Sequence, residues 1–285
     1  MKLGLGTVQF GLNYGIANSS GKPDLREVSR ILCRAYESGV ELLDTASAYG
    51  ESESVLGELK PITSKFKIVT KIPALTGNPE KDVRSELEKS LLRLKTEAVD
   101  VVLFHSAQDL LSEKAELYVK EIETAQKEGL CKKWGVSVYD EAEAKTIYSK
   151  YSYSAIQLPL NLFDQRWVTS GALKELKSKG VEIHARSLFL QGLLVSKDAK
   201  LPVRAQELKP HLEKYFTEVR DSGLSMCLAY AKSLPIDYGL VGVEKESQLF
   251  EILEAFKSDD FKSDWSDFAW NGSRDAIDPR KWSAP

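Results

Sequence analysis

Residues 67–105 read KIVTKIPALTGNPEKDVRSELEKSLLRLKTEAVDVVLFH, and this stretch decides the fold. It opens on a short run rich in β-branched residues, Lys67-Ile68-Val69-Thr70-Lys71, and closes on another, Val99-Asp100-Val101-Val102-Leu103-Phe104. Between them Val83, Leu87, Leu91 and Leu94 recur at helical spacing behind a proline, so the pattern predicts a helix from Pro79 to Leu94. Two near-continuous apolar strands joined by a helix make a parallel β-α-β unit whose strands are covered on both faces.

The same alternation extends in both directions. Leu42-Leu43-Asp44 precedes it; Trp134-Gly135-Val136-Ser137-Val138, Ala155-Ile156-Gln157-Leu158, Val181-Glu182-Ile183-His184-Ala185 and Tyr238-Gly239-Leu240-Val241-Gly242 follow. Helical patterns lie between these runs. Asp24 to Ser38 places Val28, Ile31, Leu32 and Ala35 on one face before Gly39; Glu113 to Lys127 stops at Gly129, and Ser170 to Lys179 at Gly180. Leu3-Gly4-Leu5-Gly6 is either the missing first strand or a plug at the barrel floor. So many repeated units favour an α/β fold closed into a (β/α)8 TIM barrel over an open sheet. With no low-complexity linker, residues 1–285 read as one domain. Residues 259–285 form an irregular tail carrying Trp265, Trp270 and Trp282, either wrapped on the barrel or walling a substrate pocket.

Composition narrows the function. The formal net charge is -3 with both signs dispersed and no basic stripe, which argues against nucleic acid. No apolar run approaches the ~18–20 residues of a membrane span, and the opening MKLGLGTVQFG lacks a signal-peptide core, so the cytoplasm is the expected location. Cys33, Cys131 and Cys227 are odd in number and widely spaced, which suits a reducing compartment. Cys33 and Cys227 lie in apolar helical patterns and are expected to be buried. His184, inside a strand, is expected in the core, and His211, behind Pro210 in a polar helix, on the surface. Asn18-Ser19-Ser20-Gly21 reads as a turn.

In a barrel, chemistry belongs to the C-terminal ends of the strands. One strand ends at Asp44, the next at Lys71 and the next at His105, while Tyr49 follows Asp44 closely. A tyrosine hydroxyl titrates near ~10 when unperturbed; an ammonium beside it favours the phenolate and lowers that value. A carboxylate keeps the lysine charged and placed, and a histidine can hydrogen-bond a substrate oxygen and fix its angle.

These residues carry a resemblance. Leu42-Leu43-Asp44-Thr45-Ala46-Ser47-Ala48-Tyr49-Gly50-Glu51-Ser52-Glu53, Val69-Thr70-Lys71 and Leu103-Phe104-His105-Ser106 resemble the signature segments of the aldo-keto reductases. The likeness covers roughly residues 1–255. It implies an NAD(P)H-dependent oxidoreductase acting on a small-molecule carbonyl substrate (an aldehyde, ketone or keto-sugar), or the reverse reaction, with Tyr49 as general acid, Lys71 lowering its pKa, Asp44 supporting Lys71 and His105 orienting the carbonyl. It implies no metal, no membrane or nucleic-acid partner, and a monomer or weak homo-oligomer. NADP is the implied cofactor, with NAD the alternative. By the same resemblance the cofactor meets Gly6, Thr7, Asp44, Ser137, Gln157, Arg186, Ser187, Gly242, Lys245 and Gln248. Residues 9–18 and Asp278-Pro279-Arg280-Lys281-Trp282 are also similar to bacterial members found with surface-polysaccharide biosynthesis.

Three positions depart from the family pattern. Val138 stands where asparagine often binds the nicotinamide carboxamide, and Arg186 where an aromatic side chain usually stacks on the nicotinamide. A planar arginine could lie against that ring, pair with a carboxylate or phosphate of the substrate, or simply salt-bridge an acid of a neighbouring loop. In the Gly242–Leu249 stretch Gln248 replaces an arginine, and Glu244 and Glu246 flank Lys245, which weakens the case for gripping a 2′-phosphate. Two other functions remain open at this stage: a nicotinamide-binding regulatory or assembly subunit with little turnover, and a barrel lyase or isomerase using Tyr49 and Lys71 without hydride transfer. The reduced-nicotinamide absorbance during turnover separates them.

Overall fold

A computed structural model describes residues 1–16, 18, 20–78, 80–220, 222–258 and 264–282. Eight parallel strands close into a barrel in sequence order: β1 (Lys2–Gly6), β2 (Leu42–Asp44), β3 (Lys67–Ile72), β4 (Val99–Phe104), β5 (Cys131–Ser137), β6 (Ala155–Pro159), β7 (Glu182–Arg186) and β8 (Tyr238–Gly242). Leu3-Gly4-Leu5-Gly6 is therefore the first strand and not a plug; it pairs along β8, from Lys2 with Tyr238 to Gly6 with Gly242, and closes the cylinder. This is a (β/α)8 TIM barrel.

Side chains on a strand alternate between faces, and here the alternation explains the site. Leu42, Val69, Val101, Leu103, Ala155, Tyr238 and Leu240 form a buried cluster separate from the large core between strands and helices. They are the layer that fills the barrel's interior. Two residues further along their strands come Asp44, Lys71, His105, Gln157 and Gly242, at the C-terminal mouth. The same period carries Gly135 to Ser137 on β5 and His184 to Arg186 on β7. The strand rule thus points these polar residues inward, above an apolar floor.

The helices differ from their sequence-based limits in instructive ways. The Pro79 to Leu94 pattern becomes a helix at Val83–Leu94, because Asp82 caps it by accepting the Ser85 N–H at 2.7 Å; Pro79 lies outside the described residues. In Leu25–Glu37, Asp24 accepts the Glu27 N–H and the buried stripe is Val28, Ile31, Leu32 and Ala35, as expected. Cys33 is exposed, contrary to expectation, since it falls one step off that stripe. Cys131 and Cys227 are buried, and burial raises the Cys227 thiol to about 12. His184 is fully buried, with its Nε2 2.8 Å from Glu182.

His211 is half-buried, not on the open surface. Its Nε2 lies 3.0 Å from the Phe268 carbonyl, and its ring sits between Phe163 and Trp270 at 4.6 and 5.5 Å. The tail does this covering. Its described part, 264–282, consists of short 3-10 turns. Trp265 packs edge-on to Tyr230, the Trp270 N–H donates to the Ser273 carbonyl, and the Trp282 N–H donates to the Ala276 carbonyl. The tryptophans anchor the tail to the barrel and to itself. Among the described residues Asn18 makes the expected turn, its side-chain oxygen accepting the Ser20 and Gly21 N–H groups; Ser19 lies outside them. Among the described residues no helix is long and apolar enough to cross a membrane.

Candidate active site

Lys71 has no solvent exposure. Its ammonium donates to Asp44 Oδ1 and Oδ2 at 2.9 and 2.8 Å, to the Thr45 carbonyl at 2.9 Å and to the Tyr49 hydroxyl at 3.2 Å. Burial opposes the charge, but Asp44 and Tyr49 outweigh it and raise the lysine pKa above its ordinary value. Asp44 is fixed from a second side by Gln157 Nε2 at 2.7 Å. A buried charge is tolerated only when paired and hydrogen-bonded, and here each partner is.

Tyr49 stands over this pair, its ring 4.7 Å from the Lys71 ammonium and edge-on to His105 at a centroid distance of 5.8 Å. Burial raises the tyrosine pKa, and Asp44 adds to the rise; Lys71 and Arg186 pull the other way. The lysine therefore acts in the expected sense, yet the net shift is upward because desolvation of the phenolate is the larger effect. Burial, then Lys71 and Arg186, hold His105 down to about 3, so its imidazole is neutral at physiological pH. A buried ion pair, a protonated phenol and a neutral imidazole converge on one face of the mouth. That set can donate a proton and a hydrogen bond to one substrate oxygen.

The family model for the Aldo/keto reductase family matches residues 2–267. The chain belongs to the aldo/keto reductase family. Two relatives from Bacillus subtilis (strain 168), the uncharacterized oxidoreductase YqkF and the aldo-keto reductase YhdN, are each 25% identical to it; the alignments cover 88% and 89% of this chain and 89% and 84% of theirs. An aldo-keto reductase from Bacillus halodurans in its holo form superposes with a TM-score of 0.71 at 18% identity, over 94% of this chain and 90% of that one. The glycerol dehydrogenase of Gluconobacter oxydans also gives 0.71, at 23% identity, over 90% and 86%. This aldo-keto reductase is accordingly an NAD(P)-dependent oxidoreductase.

The positions ascribed to the cofactor divide into open and occupied ones. Gly6 and Gly242 pair across the β1–β8 seam, and Gly242 is exposed at the mouth. Beside it the Gln9 side-chain oxygen is buried without a partner, and a Cβ on Gly242 would fall 2.6 Å from it. An unsatisfied acceptor beside a glycine-lined opening suits a ligand that brings an N–H, as a nicotinamide carboxamide does. Ser137 is buried beside Gln157, its partner across β5 and β6. Ser187 follows β7 in a left-handed conformation, φ 63°, with its carbonyl held by Asn161. The Thr7 hydroxyl is spent inside the fold, donating to the Asp44 carbonyl at 3.0 Å and lying 2.8 Å from Ser52 Oγ.

Beyond β8 the helix Glu246–Lys257 has its first N–H and the two preceding backbone N–H groups bonded by side chains. Gln248 Oε1 accepts the Glu244 and Lys245 N–H groups at 2.8 and 3.0 Å, and Gln248 Nε2 donates to Glu244. Glu27 Oε1 accepts the Glu246 N–H at 2.6 Å. Lys245 is exposed. Glu27, distant in sequence, gave no signal there. The sequence reading also missed Tyr139, which holds Arg186 at the mouth, because its role follows only from the tail's path.

Proposed function

We propose that this aldo-keto reductase reduces a small aldehyde, ketone or keto-sugar to the alcohol, with Tyr49 as the general acid. The observation that carries the reading is the 3.2 Å contact between the Tyr49 hydroxyl and Lys71 Nζ, beside a neutral His105. When bound, the nicotinamide supplies the hydride to the carbonyl carbon. Tyr49 transfers its proton to the carbonyl oxygen as charge builds there, and Lys71 stabilises the resulting phenolate. Asp44 and Gln157 keep Lys71 aimed. His105, as a neutral imidazole, donates an N–H to the same oxygen and sets its angle. In the reverse direction the phenolate takes the proton back.

The residues present fit a nicotinamide cofactor, with Gly6, Gly242, Ser137 and the Gln9 acceptor around its reactive end. NADP is the family expectation, yet Glu27, Glu244 and Gln248 fill the ground around the Glu246 N-terminus, which supports tolerance of NADH. The likeness of residues 9–18 and 278–282 to members found with polysaccharide biosynthesis makes keto-sugars the first substrates to try. A panel of aldehydes, ketones and keto-sugars assayed with both cofactors at the reduced-nicotinamide absorbance tests the reading. Tyr49→Phe should lower kcat by roughly 10²–10⁴ while leaving the cofactor dissociation constant nearly unchanged. A Tyr49→Phe enzyme that keeps most of the wild-type kcat sinks the assignment.

A further inference from the structure

The mouth holds a second arrangement that proton transfer does not use. The Tyr139 ring has Arg186 Cζ 3.9 Å and Arg280 Cζ 3.3 Å from its centroid. Two guanidiniums cannot share one face of a ring at those distances, so they lie on opposite faces. Arg280 comes from the tail and is paired with Asp278, its Nε 3.0 Å from Oδ1 and its Nη2 2.6 Å from Oδ2. Arg186 ends β7 at the inward position, half-buried, and donates Nη2 to the Val138 carbonyl at 3.1 Å. Among the described residues it forms no ion pair. Guanidinium carries five N–H donors, and the stack fixes its plane while most of them stay uncommitted.

The charge arrangement is unfavourable as it stands. Two like charges flank one ring; Asp278 pairs directly with Arg280 and acts on Arg186 from further off. Glu143 acts on Arg280 from a distance. The Asp44–Lys71 pair is internally neutral and His105 is uncharged, and Asp278 acts on Arg186 only across the stack while its oxygens are bonded to Arg280, so Arg186 has no carboxylate in direct contact. That charge reaches the reaction centre, because Arg186 acts electrostatically on Tyr49, His105 and Tyr14. A half-buried, pre-oriented cation without a carboxylate of its own is matched by an anion from outside.

We propose that Arg186, stacked on Tyr139 and backed by Arg280, is a specificity-determining residue that takes the anionic group of the substrate, a carboxylate or a phosphate, while the carbonyl faces Tyr49 and His105. The substrate class is then an anionic aldehyde or ketone. This rests on the carbonyl reduction proposed above, and it assigns the tail a part in the pocket through Arg280.

Charged and neutral carbonyls of matched size test it. Succinic semialdehyde against butanal probes a carboxylate, and glyceraldehyde 3-phosphate against glyceraldehyde probes a phosphate. Wild-type kcat/KM should favour the charged member of at least one pair by about tenfold or more, in keeping with a charge-assisted hydrogen bond. Arg186→Gln removes a charge that also acts on Tyr49 and His105, so kcat should change by the same factor for both members of a pair, while KM rises about tenfold for the charged member only and the charged-to-neutral ratio of kcat/KM falls accordingly. Arg186→Lys should restore only part of the preference, since an ammonium cannot reproduce the planar fork. Which pair responds identifies the group as carboxylate or phosphate. Three outcomes overturn the inference alone: no wild-type preference in either pair, an equal loss for charged and neutral members in Arg186→Gln, or a cofactor dissociation constant that rises while the charged-to-neutral ratio stays fixed. Wild-type enzyme that reduces no probe or other carbonyl overturns the carbonyl-reduction reading, and the inference with it.

Discussion

Glu27 Oε1 accepts the backbone N–H of Glu246 at 2.6 Å, so a carboxylate from one helix caps the first N–H of another. That hydrogen bond, against a smaller opposing effect of burial, holds the Glu27 carboxyl below the usual glutamate value. A helix N-terminus attracts anions, but here a carboxylate already holds its first N–H, and a 2′-phosphate would meet Glu27 and Glu246 with their partners Arg30 and Arg34. Glu27→Gln keeps an acceptor and removes the charge. It should shift the ratio of NADPH to NADH dissociation constants toward NADPH by roughly two- to fivefold, the scale of one screened charge pair. Fluorescence titration of each cofactor measures it; an unchanged ratio would place the 2′ position elsewhere.

Lys71→Met should damage both chemistry and stability. The phenol loses the neighbour that stabilises its phenolate, so kcat should fall and the pH-rate profile should move. Asp44 is left as a buried carboxylate without its cation, a loss of about 3–5 kcal/mol when one partner of a buried pair is removed. Asp44→Asn keeps a polar group against Lys71 and should be milder in rate. A melting temperature for Lys71→Met within a degree or two of wild type would mean that the pair contributes little to folding.

His105 should stay uncharged throughout the working range. Its pKa is held at about 3, below the ordinary value of 6.5. The folded protein therefore binds fewer protons at this site than the unfolded chain between those limits, and the associated stability is lost as pH falls from about 6.5 toward 3. Above pH 6.5 the site should contribute no pH dependence. The imidazole resonances of His105 should show no titration between pH 5 and 8. A midpoint inside that window would remove the neutral donor from the mechanism.

Much of this was legible in the chain because it rests on short-range rules. The ends of the apolar runs that became β2, β3 and β4 put Asp44, Lys71 and His105 at the mouth, and the helix stripe Val28, Ile31, Leu32 and Ala35 came directly from spacing. What escaped depended on contacts distant in sequence. Glu27 meets Glu246, Arg280 meets Tyr139, and His211 is covered by the tail, and no local pattern encodes any of the three. The net rise in the Tyr49 pKa escaped for a related reason: the sequence names the neighbouring lysine but not the extent of burial.

The barrel's tolerance at β5 can be tested with one methyl group. Gly135 lies between Leu103 on β4 and Ala155 on β6, two residues before Ser137, while Gln157 lies two residues after Ala155. A Cβ on Gly135 would fall 1.8 Å from the Ala155 carbonyl oxygen and 2.6 Å from its carbon, so the obstacle is the backbone of the next strand. Relief requires β5 and β6 to part, and that would move Gln157 away from Asp44. Gly239 on β8 is a useful comparison. The atoms nearest its Cβ would be the Met1 sulfur at 2.8 Å, a Leu188 methyl at 3.0 Å and the Met1 methyl at 3.2 Å, all on side chains that can turn aside. Overpacking commonly costs about 1–3 kcal/mol. Gly135→Ala should reach or exceed the top of that range and also reduce kcat, whereas Gly239→Ala should stay near the bottom with kcat intact. Thermal melts and kcat for the two variants, measured side by side, check this. Equal melting temperatures would show that the strand approach at Gly135 does not limit the barrel.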